Sequence, residues 1–187
     1  MVNSLRCIKM DYGSLKPGKN PPEEVFAVVE ISMDSPPVKY EFDKSSGAMF
    51  VDRFVHTGMQ YPCNYGFIPK TLSGDGDPVD VLICSSHPII SGAVVSVRPV
   101  GVLVTEDENG TDEKIMAVPA KKIDPFFSSI ESYKDLPEVF IQRVNHFFEN
   151  YKKLEKGKWV SISGWRDRGD ALDIILDSIG RYTQNID

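Results

Sequence analysis

Residues 75–80 place three carboxylates within six positions, in the order Asp-Gly-Asp-Pro-Val-Asp. Two carboxylates about 4 Å apart repel each other by roughly 4 kcal/mol at an effective dielectric constant of about 20. A fold that gathers three of them therefore needs a cation or a shared proton. Hard carboxylate oxygens favour Mg²⁺, Mn²⁺ or Ca²⁺ over Zn²⁺. The segment predicts a divalent-metal site, with a solvent-exposed acidic turn as the alternative, because Asp, Gly and Pro are common in turns.

A second acidic group and an isolated glutamate extend this candidate site. Asp107 and Asp112 flank Asn109-Gly110, a pair that predicts a hairpin turn between two apolar runs. Glu30 shares a predicted strand face with apolar residues, where a carboxylate is unusual. Taken singly, the hairpin acids are also consistent with a solvated turn, and Glu30 is consistent with a strand end that reaches water.

Basic residues and tyrosines supply a second set of candidates, which would bind an anion. Arg53 shares a strand face with apolar residues and therefore needs an anion, either a protein carboxylate or a ligand. The cations are Lys39, Arg53, Lys114 and Lys152, and the tyrosines are Tyr61, Tyr65 and Tyr151. Cations near acidic clusters suit a polyanion that binds together with metal ions, as in phosphoryl transfer.

This combination of residues predicts hydrolysis by water rather than covalent catalysis. No constellation of Ser, Cys or His stands out as a nucleophile and its base. A water held by a metal loses its proton more readily and becomes the nucleophile. A carboxylate such as Asp77 would accept that proton. The residues alone therefore predict a divalent-metal-dependent phosphohydrolase that acts on a small phosphate anhydride.

The pattern of apolar residues indicates which elements position these side chains. Alternating or continuous apolar runs predict strands, and apolar residues at spacings of three and four predict helices. The predicted strands are residues 25–31, 38–43, 49–54, 79–84, 93–104 with a break near Pro99, 115–118 and 158–163. The predicted helices are residues 135–154 and 169–182. Residues 61–69 are predicted to form a stiff loop. Many strands followed by a helix, a strand and a helix predict an α+β fold, namely a barrel flanked by two main helices.

Composition and charge narrow the class of protein. The 187 residues suffice for a single domain, 1–187, in which residues 1–24 are predicted to be an irregular lead-in. The formal net charge of −6 argues against a nucleic-acid-binding protein, whose surface is usually basic. Three well-separated cysteines fit a reducing compartment better than a disulfide framework or a zinc site. No apolar run approaches the length of a membrane span, and the N-terminus lacks the apolar core of a signal peptide.

The acidic segment and several other motifs resemble those of the family I soluble inorganic pyrophosphatases. The matching segments are Asp75-Gly-Asp-Pro-Val-Asp80-Val81, Val38-Lys39-Tyr40-Glu41, Val51-Asp52-Arg53-Phe54, Tyr61-Pro62-Cys63-Asn64-Tyr65-Gly66, Arg98-Pro99-Val100-Gly101-Val102-Leu103, and Tyr151-Lys152 with Glu155-Lys156-Gly157-Lys158-Trp159. They occur between about residue 15 and residue 165, in the family's order and at compatible spacing. The short chain is similar to the bacterial form of the family.

The resemblance implies a fold, an activity and an assembly. The fold is a five-stranded, OB-like β-barrel with helices packed outside, and the activity is Mg²⁺-dependent hydrolysis of inorganic pyrophosphate to two orthophosphates. Several Mg²⁺ ions would occupy each active site, with Mn²⁺ or Zn²⁺ as substitutes. The resemblance also implies a homohexamer in the cytoplasm, without a nucleic-acid or membrane partner.

The resemblance also assigns roles to residues by position. Asp77 matches the general base, and Glu41 and Tyr61 match supporting active-site residues. The matching metal ligands are Asp75, Asp80, Asp112, Asp107 and Glu30; the matching substrate contacts are Lys39, Arg53, Tyr65, Lys114, Tyr151 and Lys152. Whether Asp107 or the adjacent Glu106 is the hairpin ligand stays open at this point.

Two other functions compete with this interpretation. OB-like barrels often bind oligonucleotides without catalysis, but the net acidity and the lack of a basic, aromatic-rich strand face count against that function. A nucleotide pyrophosphohydrolase would need a pocket for the base, and no feature of the sequence indicates one.

Overall fold

Strands make up most of the chain, and the two α-helices lie toward its C-terminal end. The protein is a computed structural model in which residues 12–43, 46–108 and 110–185 are described. The strands are β1 (Gly18–Asn20), β2 (Glu24–Ile31), β3 (Val38–Asp43), β4 (Ala48–Phe54), β5 (Asn64–Phe67), β6 (Asp80–Ile83), β7 (Val94–Asp107), β8 (Gly110–Pro119) and β9 (Val160–Arg166). The helices are α1 (Glu138–Asn150) and α2 (Arg168–Gln184), and 3₁₀ turns span Tyr12–Ser14, Pro125–Phe127 and Tyr133–Asp135.

Five strands close into a barrel. The described strands form a seven-stranded sheet in the order β1-β2-β5-β6-β8-β7-β9, and β2 also pairs with β7. This extra pairing closes the ring β2-β5-β6-β8-β7, in which only the β6–β8 pair is parallel. The predicted α+β fold, a five-stranded OB-like barrel flanked by two main helices, is confirmed.

Alternate residues of the ring strands pack into two apolar clusters, as the period of a strand requires. One cluster joins the barrel to α2 and includes Val81, Ile83, Ile115, Ala117, Ala171 and Ile175. The other joins the barrel to α1 and includes Leu82, Met116, Val144, Phe147 and Phe148. Each helix therefore covers a different apolar surface of the barrel.

The strands β3 and β4 form a separate antiparallel hairpin beside the barrel. Their observed bounds agree with the predicted strands to within one residue. The hairpin matters for function because it carries Lys39, Glu41 and Arg53.

The prediction of a stiff loop at residues 61–69 is wrong in part, because this segment contains β5. This short strand pairs with both β2 and β6, and all four of its residues are buried. Gly66 makes the close pairing feasible, since a Cβ there would lie 1.9 Å from the carbonyl oxygen of Val28. These four residues show no alternation of apolar and polar side chains, so only the pairing with β2 and β6 identifies them as a strand.

The predicted break near Pro99 is an irregularity in the pairing of β7 rather than an interruption of the strand. The pairing of β7 with β8 shifts register between Pro99 and Gly101. Proline has no N–H for a strand ladder, and such an irregularity is where a sheet tolerates it. One strand, β7, therefore covers the predicted segment 93–104 from Val94 onward and continues to Asp107.

Helix α1 is shorter than the predicted helix at residues 135–154. Pro137 occupies its N-cap position, Tyr133–Asp135 form a separate 3₁₀ turn, and the α-helix ends at Asn150. Leu154, predicted to lie on the apolar face, is instead 65% exposed in the following turn. The last residues of the predicted stripe therefore belong to the turn that supplies the site, not to the helix.

The predicted irregular lead-in is only partly irregular. Its described part contains the 3₁₀ turn Tyr12–Ser14 and the strand β1, which pairs with β2; residues 1–11 lie outside the described residues. Asn109 of the predicted hairpin turn and Ser45 of the predicted turn before β4 also lie outside them. The hairpin itself is confirmed, because Asp107 pairs with Gly110 across β7 and β8. No helix within the described ranges is both long and apolar enough to cross a membrane.

Candidate active site

The acidic segment forms a turn that local hydrogen bonds hold in place. The Ser73 N–H donates to the Asp77 carbonyl at 2.7 Å, and the Asp77 N–H donates to Asp75 Oδ1 at 3.0 Å. Gly76 has φ +93, a conformation that L side chains rarely adopt, so glycine is required there. At the base of the turn, the Val79 N–H donates to Thr71 Oγ1 at 3.0 Å. The turn therefore presents Asp75 and Asp77 to solvent from a fixed backbone.

Asp80 begins β6 and joins a compact polar network with β8 and β5. The Nζ of Lys114 lies 2.6 Å from Asp80 Oδ2 and 2.7 Å from Asp112 Oδ2. The Tyr65 hydroxyl donates to Asp80 Oδ2 at 2.5 Å. Burial disfavours the charged form of Lys114, but the two carboxylates outweigh burial and raise its pKa. Burial also raises the pKa of Tyr65, so its hydroxyl keeps its proton and remains a donor.

Glu30 is the buried carboxylate of the site. The backbone N–H of Phe42 donates to Glu30 Oε1 at 2.8 Å. Burial raises the pKa of Glu30 to about 7, against the opposing influence of the Phe42 hydrogen bond. At neutral pH this carboxyl group therefore needs a proton or a nearby cation, as expected for an acid on an otherwise apolar strand face.

The β3–β4 hairpin brings two cations to the same place. Lys39 pairs with Arg53 across the two strands. Lys39 Nζ lies 2.9 Å from Asp52 Oδ2 and 3.8 Å from Glu41 Oε2. Burial opposes ionisation of Asp52, but the hydrogen bond and charge of Lys39 prevail and lower its pKa. Lys39 is therefore held by carboxylates of its own hairpin.

The end of α1 supplies Tyr151 and Lys152. The Tyr151 ring stacks on Phe147, with ring centroids 5.0 Å apart. The Nζ of Lys152 lies 2.8 Å from Asp107 Oδ2, which ties the turn after α1 to the end of β7. Because the helix ends at Asn150, Lys152 lies beyond its last turn, and a partner on another strand fixes its side chain.

These elements surround one open cleft with a volume of about 230 Å³. Predicted site residues that line it are Asp75, Asp77, Asp80, Asp112, Glu30, Lys39, Arg53, Tyr65, Lys114, Tyr151, Lys152, Glu41 and Tyr61. Asp107 adjoins the cleft through its contact with Lys152. Glu106 is exposed and points to the other side of the strand. The structure thus brings Asp107, rather than Glu106, to the site.

Sequence reasoning missed several residues that line the cleft, namely Ser73, Thr111, Glu113 and Arg181. Arg181 is the most informative of them, because it stands on α2, far along the chain from the acidic turn. Its Nε donates to the Leu72 carbonyl at 2.8 Å, while the Leu72 N–H donates to the Ser178 carbonyl at 3.0 Å. No local pattern distinguishes Arg181 from other polar residues of the helix, so only the packing of α2 indicates its place.

The donor set suits a hard divalent cation. Within residues 12–43, 46–108 and 110–185, no three His, Cys, Asp or Glu side chains converge closely enough to ligate one ion. Carboxylates from the acidic turn, β2 and β8 nevertheless face one cleft and offer only oxygen donors. Lys114 already shows that Asp80 and Asp112 lie close enough to share one cation. The type and number of these oxygen donors, rather than a preformed cage, therefore match a hard divalent cation.

A closed five-stranded barrel whose cleft combines clustered carboxylates with lysines, arginines and tyrosines has the side chains that a metal-dependent phosphohydrolase requires. Comparison with known proteins identifies the family. The family model described as inorganic pyrophosphatase matches residues 27–183. The chain is 52% identical to the inorganic pyrophosphatase of Mesorhizobium japonicum, over 92% of this chain and 97% of that protein. It is 50% identical to that of Agrobacterium fabrum, over 92% and 98% respectively.

Solved structures agree with these sequence matches. The crystal structure of inorganic pyrophosphatase from Thermus thermophilus superposes with a TM-score of 0.88 at 45% identity, covering 92% of this chain and 99% of that one. The chain therefore belongs to the inorganic pyrophosphatase family, which implies a divalent metal cofactor.

Proposed function

We propose that the protein hydrolyses inorganic pyrophosphate to two orthophosphates with Mg²⁺, by direct attack of water. The observation that carries this proposal is the composition of the cleft, in which oxygen ligands for metals adjoin cations that suit phosphate oxygens. Family membership supports the same activity.

Metal ions would be held by the carboxylates of the cleft. Asp75, Asp80 and Asp112 are the proposed principal ligands, with Asp107 and Glu30 as further ones. When bound, Mg²⁺ neutralises phosphate charge and makes a water more acidic. Mn²⁺ or Zn²⁺ would substitute for it. The ammonium of Lys114 lies between Asp80 and Asp112 and stabilises these two carboxylates close together.

The cations of the cleft would hold the substrate. Lys39 and Arg53 come from the hairpin, Lys152 comes from the turn after α1, and Lys114 comes from β8, so positive charge reaches pyrophosphate from three sides. Tyr151 would donate its hydroxyl hydrogen to a phosphate oxygen, and Tyr65 would do the same by turning its hydroxyl hydrogen from Asp80 to the substrate. Glu41 and Tyr61 would support neighbouring residues. These contacts stabilise the charge that builds up on the leaving phosphate.

Asp77 would act as the general base. Its position in the turn is fixed by the hydrogen bonds at Ser73 and Asp75. A carboxylate oxygen of Asp77 would accept the proton of the attacking water, while the neighbouring Asp75 and Asp80 serve as metal ligands. Because the backbone of the turn is fixed, Asp77 would serve as the base while Asp75 and Asp80 would serve as metal ligands, although the three acids lie within six residues.

The activity is tested by measuring phosphate release from pyrophosphate with Mg²⁺, with and without EDTA. Rapid release that EDTA abolishes supports the proposal. A protein that releases no phosphate but retains a single-stranded oligonucleotide would instead be a binding module. Release of pyrophosphate and a nucleoside monophosphate from a nucleoside triphosphate, without hydrolysis of pyrophosphate itself, would indicate a nucleotide pyrophosphohydrolase.

We also infer a homohexamer that works in the cytoplasm. Of the described cysteines, Cys63 and Cys84 are free although they belong to one apolar cluster, which suits a reducing compartment. Helix α1 leaves Val139 64% exposed, a surface that a neighbouring subunit would cover.

A further inference from the structure

Glu155 is a buried carboxylate that the proposed mechanism does not use. It lies in the turn after α1, three residues beyond Lys152, and only 9% of its surface is exposed. Its Oε1 is buried and, within the described part of the chain, accepts no hydrogen bond. A buried carboxylate oxygen without a donor is costly. The fold must therefore provide it with a partner of opposite charge.

Arg53 is that partner. Its Nε lies 3.5 Å from Glu155 Oε1, at the distance of an ion pair but beyond a normal hydrogen bond. The other carboxylate near the guanidinium is Asp52, whose Oδ2 lies 3.8 Å from Nη1. Among the described residues, the terminal nitrogens of Arg53 have no closer acidic partner, and Arg53 lines the cleft.

The two ends of the guanidinium group therefore face different partners. Nε carries a single N–H beside the side-chain stem, whereas the terminal nitrogens form the planar fork that binds phosphate through two parallel hydrogen bonds. A carboxylate at Nε fixes the plane of the group and leaves the fork to the cleft. Hydrogen bonds in a site without substrate are often long and shorten when the substrate binds.

Glu155 also links two segments that carry cations of the cleft. Arg53 belongs to β4, and Lys152 lies in the same turn as Glu155. A second contact between these regions is the Thr57 hydroxyl, which donates to the Tyr151 carbonyl at 3.4 Å. A change at Glu155 therefore affects how the hairpin and the turn after α1 are placed relative to each other.

Building on the pyrophosphatase activity proposed above, we propose that Glu155 is a positioning residue that aims the fork of Arg53 at a phosphate of the substrate. The Nε–Oε1 contact shortens to a hydrogen bond when the fork engages that phosphate. If Glu155 served only the stability of the fold, its removal would affect activity equally with and without Arg53.

A double-mutant cycle separates these two roles. The variants are Glu155→Gln, Arg53→Ala and the double variant, with Glu149→Gln as a matched control on the exposed side of α1. For each we would measure kcat and KM for pyrophosphate, and the Kd of imidodiphosphate, a non-hydrolysable analogue, by calorimetry. Circular dichroism checks the fold, and Glu155→Asp replaces Glu155→Gln if the latter does not fold.

We expect Glu155→Gln to lower kcat/KM on the order of 10- to 100-fold, as misplacement of a substrate-binding group does. In the Arg53→Ala background the same change should alter kcat/KM and Kd by less than about twofold, because no guanidinium is left to position. Glu149→Gln should match the unaltered protein. Activity of Glu155→Gln equal to that of the unaltered protein, or an equal loss in both backgrounds, would overturn the proposal.

The two readouts also separate this inference from the proposed function. A protein that binds imidodiphosphate but releases no phosphate contradicts the proposed activity, while the cycle in Kd still decides whether Glu155 acts through Arg53. A protein that neither binds the analogue nor hydrolyses pyrophosphate overturns both proposals.

Discussion

The carboxylates of the acidic turn differ in what surrounds them, and this predicts different responses to the same substitution. Asp77→Asn keeps the size of the side chain but cannot accept a proton from water. General-base catalysis contributes about 10²- to 10⁴-fold, so kcat should fall by that order while the Mg²⁺ concentration for half-maximal activity changes little. Steady-state kinetics across a Mg²⁺ titration measure both quantities.

Asp80→Asn is the matched control within the same segment. Asp80 lies in the network with Lys114 and Tyr65, and we propose that it is a metal ligand. Its substitution should weaken metal binding, and excess Mg²⁺ should restore part of the rate. Identical metal titrations for the two variants would show that Asp77 and Asp80 do not divide the roles as proposed.

Lys152 and Lys153 are neighbours in sequence with different surroundings, and they form a second matched pair. Lys152 is paired with Asp107 at the cleft, whereas Lys153 is exposed. We expect Lys152→Ala to lower kcat/KM by removing a substrate contact. Lys153→Ala should keep activity and change the free energy of unfolding by less than about 0.5 kcal/mol. Pyrophosphatase assays and urea denaturation of both variants test this difference. Equal activities of the two variants would show that Lys152 has a structural role only.

At the scale of elements, the close approach of β5 to β2 should make the barrel intolerant of any side chain at Gly66. A Cβ at Gly66 would lie 1.9 Å from the Val28 carbonyl oxygen, so the strands must separate. We expect Gly66→Ala to lower the free energy of unfolding by about 3 kcal/mol, the upper end of the usual cost of overpacking, because the close contact is with backbone.

Gly180→Ala is the control for this prediction, because Gly180 lies within α2 and a Cβ there meets nothing within 4 Å. Alanine favours a helix over glycine by about 0.8–1 kcal/mol, so this variant should be more stable than the unaltered protein. Denaturant unfolding of both variants measures the two changes. A mild effect at Gly66 would mean that β5 can move away from β2.

The same elements show what could be predicted from the sequence. Long strands and helices were predictable because their apolar residues repeat with the period of the element, as in β2, β3 and α2. Strand β5 was not, since its four residues are all buried and lack alternation. The acids of the turn were identified because they are close in sequence, whereas the roles of Arg181 and Glu155 depend on contacts with distant segments.

At the scale of the whole molecule, we expect an assembly whose mass in sedimentation at neutral pH is several times that of the 20.9 kDa chain. The exposed Val139 on α1 offers an apolar contact for a second copy. Val139→Glu should lower the mass by placing a charge in that contact, while Glu149→Gln on the same helix should leave it unchanged. A mass near that of one chain for the unaltered protein would contradict the hexamer.

Stability of the whole molecule should depend on divalent metal, because the cleft gathers more carboxylates than its cations neutralise. Among the described residues, seven carboxylates line it, namely those of Glu30, Glu41, Asp75, Asp77, Asp80, Asp112 and Glu113, whereas the cations that line it are five, namely Lys39, Arg53, Lys114, Lys152 and Arg181. A ligand that binds only the folded state stabilises it by about 2.7 kcal/mol at a concentration of 100 Kd. Mg²⁺ should therefore raise Tm in calorimetry, and chelation by EDTA should lower Tm and abolish activity together.

The Asp80→Asn variant gives this last prediction its control. With one proposed ligand removed, the rise in Tm should require a higher Mg²⁺ concentration, whereas Asp77→Asn should follow the unaltered protein because a general base contributes little to metal affinity. Ca²⁺ should raise Tm too, because carboxylate oxygens bind this hard cation whether or not it supports hydrolysis. Full activity in a chelated, metal-free sample, or a Tm that Mg²⁺ leaves unchanged, would show that the ammonium of Lys114 and its neighbouring cations already balance the carboxylates without a metal.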